Sequence, residues 1–190
     1  DLARGRLMLD AERPADAQRA LTRFLSREPG NAEGHLERAR AARALGHIDD
    51  AAADFEVALT LQPGPDGHVE RARMLLDARP QTAARVREAL RGLELGIVRL
   101  GPLVVLELTA LDAELALDLY DAALQRLDRL AAAAPRKESW LLRRGDVLHA
   151  AGREQEAQAA WQLGRDAVAE LPQHLRFVPA TVDLDQQFVQ

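Results

Sequence analysis

Apolar residues return along the chain in ten short segments, each set off by polar or Gly/Pro-bearing breaks, and this pattern predicts ten helices. They fall in pairs. The first members cover residues 1–11, 32–45, 67–78, 102–117 and 137–150. The second members cover 15–27, 49–61, 81–94, 120–133 and 154–170. Asp49 and Asp50 open one of these segments, where carboxylates suit the positive end of a helix dipole. In the third pair, Val86, Ala89, Leu90 and Leu93 follow a shortened turn, and a longer irregular connection with Gly96, Gly101 and Pro102 is expected over 94–103. After Pro172, a segment opened by Pro179 carries Val182, Leu184, Phe188 and Val189. It reads as a capping helix, or alternatively as a tail that docks into a neighbouring molecule.

The pairs are copies of one another. Gly34-His35-Leu36-Glu37-Arg38-Ala39-Arg40 returns 33 residues later as Gly67-His68-Val69-Glu70-Arg71-Ala72-Arg73. Pro29 and Pro63, Ala17 and Ala51, and Ala123 and Ala157 are each 34 residues apart. Gly5, Ala39, Ala72 and Gly145 would share one helix position, with the larger Leu111 there in the fourth unit. Antiparallel helices pack closely where a small residue admits a bulky one, and Gly145 facing Trp161 is expected to be such a crossing. A single hairpin cannot bury its apolar face, so the units must stack.

This spacing resembles the tetratricopeptide repeat, a 34-residue helix–turn–helix unit. The second repeat fits through Ala39, Ala51, Phe55, Ala58 and Pro63, and the fifth through Gly145, Gly152, Ala157, Trp161 and Gly164. The first has Gly5, Ala17, Leu21 and Pro29, with Phe24 where a small residue is usual; the fourth has Tyr120, Ala123, Leu127 and Pro135. The resemblance implies an all-α, right-handed α-solenoid of about five helical hairpins plus a C-terminal capping helix. The repeat domain would cover 1–171, in units of about 1–31, 32–65, 66–103, 104–137 and 138–171, with 172–190 as the cap.

Composition agrees. Aromatic residues make up 4% of the 190, and Ala, Leu and Arg dominate, which excludes strand-rich folds. No Cys is present, so thiol catalysis, disulfides and Cys-ligated metal are excluded. A net charge of −5 argues against a general nucleic-acid binder, and no run is apolar enough for membrane insertion. The Ala/Leu/Arg bias points to a bacterial source. The chain starts at Asp1, so it is read as processed or trimmed: exported or periplasmic if a signal peptide was removed, otherwise cytoplasmic.

Candidate chemistry is sparse. His35, His47, His68, His149 and His174 form no metal-ligand spacing, and the matched places of His35 and His68 follow from duplication. Ser26 and Ser139 lack a nucleophile-elbow context. Gly64-Pro65-Asp66-Gly67 is an inter-repeat turn with no phosphate-loop lysine, and Arg144-Gly145-Asp146 falls inside a helix. The expectation is a non-enzymatic chain with no cofactor and no metal.

In tetratricopeptide-repeat proteins the first helices of the hairpins line a concave groove. Carried over, one row of that groove is Leu2, Leu36, Val69, Leu108 and Leu142, an apolar floor. The next is Arg6, Arg40, Arg73, Asp112 and Asp146, with Arg43 and His149 beside it. The resemblance therefore implies a protein-interaction scaffold or adaptor that binds a peptide or protein partner through a basic first half and an acidic second half. The arginines have a second reading, as partners of Glu37, Glu70, Asp10 and Asp77 within their own helices. The alternative function is self-assembly through Phe177, Val178 and Phe188; the chain is expected to be a monomer or weak homodimer.

Overall fold

A computed structural model of the protein describes residues 1–172. Among them ten helices and no strand are found: α1 Leu2–Asp10, α2 Pro14–Leu25, α3 Ala32–Ala44, α4 Ile48–Leu61, α5 Pro65–Asp77, α6 Ala83–Leu100, α7 Val104–Leu115, α8 Tyr120–Ala133, α9 Glu138–Ala150 and α10 Glu154–Glu170. The fold is all-α. The expected helix over 179–189, with the tail residues Phe177, Val178 and Phe188, lies outside the described residues.

Local sequence explains where the helices start and stop. Pro14 and Pro65 sit in the first turns of α2 and α5, where the missing N–H has no partner to lose. The Asn31 side chain accepts from the Gly34 N–H at 2.8 Å and caps α3. Asp49 and Asp50 occupy the first turn of α4, as expected. Four of the five hairpin turns pass through one left-handed residue: Glu12 (φ 55°), Gly46 (φ 77°), Asp118 (φ 56°) and Gly152 (φ 72°). Each of these hairpins thus reverses in the same way two or three residues after its first helix.

The third hairpin departs from the expectation twice. Its turn is longer than in the other hairpins, running from Ala78 to Thr82. Pro80 cannot donate a backbone hydrogen bond and disfavours helical backbone before it, so α6 begins only after Thr82, whose side chain caps it. And 94–100 is not an irregular connection: α6 continues to Leu100, and only 101–103 link it to α7. Gly96 is buried inside the helix because α5 approaches there; a Cβ on it would lie 2.9 Å from His68 Cγ. Gly101 (φ 87°) and Pro102 then stop the helix.

The chain forms two compact units, 1–113 and 114–190. In the first, α1–α6 pack as consecutive neighbours. Its main core collects residues from α3 to α7, with Phe55 and Leu93 fully buried among Ala39, Ala51, Ala72 and Ala89. Leu106 and Ala110 of α7 join it. A smaller core of Ala17, Leu21 and Ala41 seats α1 and α2. The position of small residues predicted by the repeat is real: Gly5, Ala39, Ala72 and Gly145 are all buried, and so is Leu111. The bulky Phe24 is accommodated because Gly34 stands opposite, 2.9 Å from its Cε1 if given a Cβ.

In the second unit α8 packs on α9 and α9 on α10. Glu114 and Arg126 form a buried bidentate pair, with Nε and Nη2 donating to the carboxylate at 2.9 and 2.7 Å. Gly145 lies against the Trp161 indole, as the spacing predicts.

Candidate functional site

The first helices of hairpins one to three, α1, α3 and α5, carry Arg6, Arg40 and Arg73 at equivalent turns, and α3 and α5 add Glu33, Glu37 and Glu70. In the structure these side chains interlock across helices. Arg6 of α1 donates through Nε to Glu37 of α3 at 3.0 Å and also pairs with Glu33. Arg40 of α3 holds Glu70 of α5, with Nε at 3.1 Å and Nη2 at 2.9 Å, and reaches Glu37 at 3.1 Å. Arg43 lies 3.4 Å from Glu70. The row therefore alternates in sign from α1 to α5.

The charge pattern follows from the repeat. Each arginine precedes its cross-helix glutamate by 31 or 30 residues, so one repeat's cation meets the next repeat's anion. Glu37 holds Arg6 above the ordinary arginine range, with Glu33 adding to it, and Glu70 does the same for Arg40. Arg73 continues the row on α5, exposed and without an ion pair among the described residues. A cleft of about 450 Å³ runs along the row, with Leu9, Asp10 and Ala44 completing its walls.

The predicted apolar floor divides in two. Leu2 and Leu36 are half-buried against the cores. Val69 and Leu142 lie inside the cores, 7% and 9% exposed. Leu108 and Asp112 stand one turn apart on α7, half-buried and exposed respectively. In the second unit, α9 and α10 bring Asp146 and His149 together around Trp161. The indole Nε1 donates to Asp146 Oδ1 at 3.2 Å, and the His149 ring centre lies 5.8 Å away. His149 Nδ1 is 2.6 Å from Glu154 Oε1.

The second reading of the arginines holds for Arg40 with Glu37, which share a helix, while the other contacts are between helices. The glutamates were visible as neighbours, but the cross-helix register was not. Its signal is the 30–31-residue offset.

Comparison with known proteins is consistent with this geometry. A tetratricopeptide-repeat family model matches residues 2–68. Over these residues the chain is similar to the tetratricopeptide repeat. The matched stretch contains α1–α4 and the start of α5, hence most of the arginine–glutamate row. The crystal structure of MamA is similar with a TM-score of 0.66 and 15% identity, over 92% of this chain and 94% of that one. TTC0263 of Thermus thermophilus, a thermophilic tetratricopeptide-repeat protein, is similar with 0.55 and 17%, over 99% and 95%. YrrB, a tetratricopeptide-repeat protein with an unusual peptide-binding site, is similar with 0.62 and 12%, over 87% and 84%. No curated protein matches the chain in sequence. Among the described residues of this repeat protein, no helix is long and apolar enough to cross a membrane.

Proposed function

We propose that the protein is a non-catalytic scaffold whose α1/α3/α5 face receives an acidic peptide segment of a partner protein. Tetratricopeptide repeats are in general protein-interaction scaffolds. The observation that carries the finer reading is the unbalanced end of the ionic row. Arg6, Arg40 and Arg43 are engaged by Glu33, Glu37 and Glu70, whereas Arg73 stays exposed and unpaired among the described residues. A carboxylate arriving at Arg73 extends the alternation by one step. Further carboxylates exchange with the exposed Glu33 arm, because surface ion pairs of this kind contribute only about 0–1 kcal/mol. Leu36 supplies apolar contact between the charges. Within the second unit, Asp146 and His149 are proposed as contacts for a basic segment of a partner, and Asp112 is proposed as a separate acidic contact on α7.

The test is selection from a displayed random-peptide library by the wild type and by Arg73→Glu. Enrichment of acidic peptides by the wild type and their loss in the variant is the expected result. Equal enrichment by both proteins removes Arg73 and this face from the proposal.

A further inference from the structure

The second and third hairpins each carry a histidine, an arginine and an acid at matched positions, and the structure closes one set and leaves the other open. In the second hairpin Asp54 binds both His35 and Arg38. His35 Nδ1 lies 2.9 Å from Asp54 Oδ1, and Arg38 donates to the same carboxylate at 2.7 and 2.6 Å. The other ring nitrogen of His35 is 2.9 Å from the Pro29 carbonyl. The counterparts 33 or 34 residues on are His68, Arg71 and Glu88. There the longer acid takes only Arg71, at 2.5 Å. His68 is 2% exposed, and neither ring nitrogen has a hydrogen-bond partner.

The open set lies in the wall of a cleft of about 430 Å³ between α4, α5 and α6. It shares no residue with the arginine–glutamate row. Arg91, Leu95 and Arg99 line it from successive turns of α6, and Leu59 from α4. Arg91 is exposed with no ion pair among the described residues. Arg99 makes one long contact, 3.4 Å to the Leu59 carbonyl. Both guanidiniums therefore keep donors available on either side of an apolar strip. Three arginines and two glutamates, Glu56 and Glu88, leave the cleft one positive charge in excess. That balance suits a singly charged anion better than a phosphate dianion. The His68 nitrogens are shielded from solvent, so contact with a ligand falls to the arginines.

We propose that this cleft binds a small organic monocarboxylate, its carboxylate held by Arg99 beside Leu59 and its aliphatic stem laid on Leu59 and Leu95, with Arg91 two turns away adding positive potential. A planar carboxylate matches the guanidinium fork, and the cleft has the volume of small-molecule sites, about 300–1,000 Å³.

The experiment is an NMR titration of the whole chain with sodium butyrate at constant ionic strength, followed at the Gly92 and Gly96 amides and the His68 ring. Inorganic phosphate is titrated in parallel. Saturable shifts with butyrate are expected, weakened about tenfold or more by Arg91→Gln/Arg99→Gln and unchanged by Arg87→Gln, an exposed charge control outside the cleft. Shifts that do not saturate, shifts that persist in the double variant, or phosphate binding as tight as butyrate would each overturn the proposal. The exposed positions of Arg91 and Arg99 let the double variant keep its fold.

Discussion

Gly145 of α9 lies directly beneath the Trp161 ring of α10: a Cβ on residue 145 would overlap Cδ1 and Nε1 of the indole and stand 2.7 Å from its Cε2. The indole is tethered to the same helix, α9, by the 3.2 Å bond from its Nε1 to Asp146, so it cannot move away without losing that contact. Gly145→Ala gains about 1 kcal/mol of helix propensity and forces an overlap that costs about 1–3 kcal/mol. A net loss of up to about 2 kcal/mol is expected in urea unfolding. In a Trp161→Leu background the same substitution should become neutral or stabilising.

Glu12 turns the first hairpin in left-handed backbone (φ 55°), where Gly46 and Gly152 serve the second and fifth. A non-glycine residue there is strained by about 1 kcal/mol. Glu12 is exposed, so its side chain offers little packing to offset the strain. Glu12→Gly is expected to raise the thermal midpoint, while Gly46→Glu should lower it.

Arg126 and Glu114 are 3% and 4% exposed. Removing one charge strands the other in the interior. Arg126→Met is expected to cost about 3–5 kcal/mol. The measurement is a double-mutant cycle with Glu114→Leu by chemical denaturation. A coupling near zero would show that the buried pair does not stabilise the second unit.

Burial holds His68 below the ordinary histidine range, and the Arg99 and Arg71 charges push it further down; the nearby Gly92 carbonyl opposes this without reaching hydrogen-bond geometry. The unfolded chain binds a proton at this histidine from about pH 6.5 downward, and the folded chain does so only at lower pH. Stability should therefore fall as pH drops below about 6.5, by at most about 1.4 kcal/mol per unit for one proton. His68→Gln should lose less stability over the same interval. Parallel pH profiles for the two proteins would remove His68 as the cause.

Much of the fold was legible in the sequence because its rules are local or periodic. The ten helices, the small residues at hairpin crossings and the Gly145–Trp161 contact all follow from 34-residue spacing and from side-chain size. Two departures lie at local helix breakers. Gly96 read as a loop residue, yet it serves close approach inside α6, where a helix tolerates glycine if a neighbour fills the space. Pro80 lengthened a turn that pattern alone made short.

The residues of the candidate site were nameable one by one, but their partnerships were not. The sequence by itself determined that Arg6, Arg40 and Arg73 recur on equivalent helices, because repetition preserves helix phase. Only the tertiary structure decided that Arg6 and Arg40 meet glutamates of the following repeat while Arg73 does not. It also decided that His35 is bonded on both nitrogens and its duplicate His68 on neither. Side-chain pairing depends on distances of a few ångströms between elements some thirty residues apart. Periodicity carries the phase of each helix and not the gap between two.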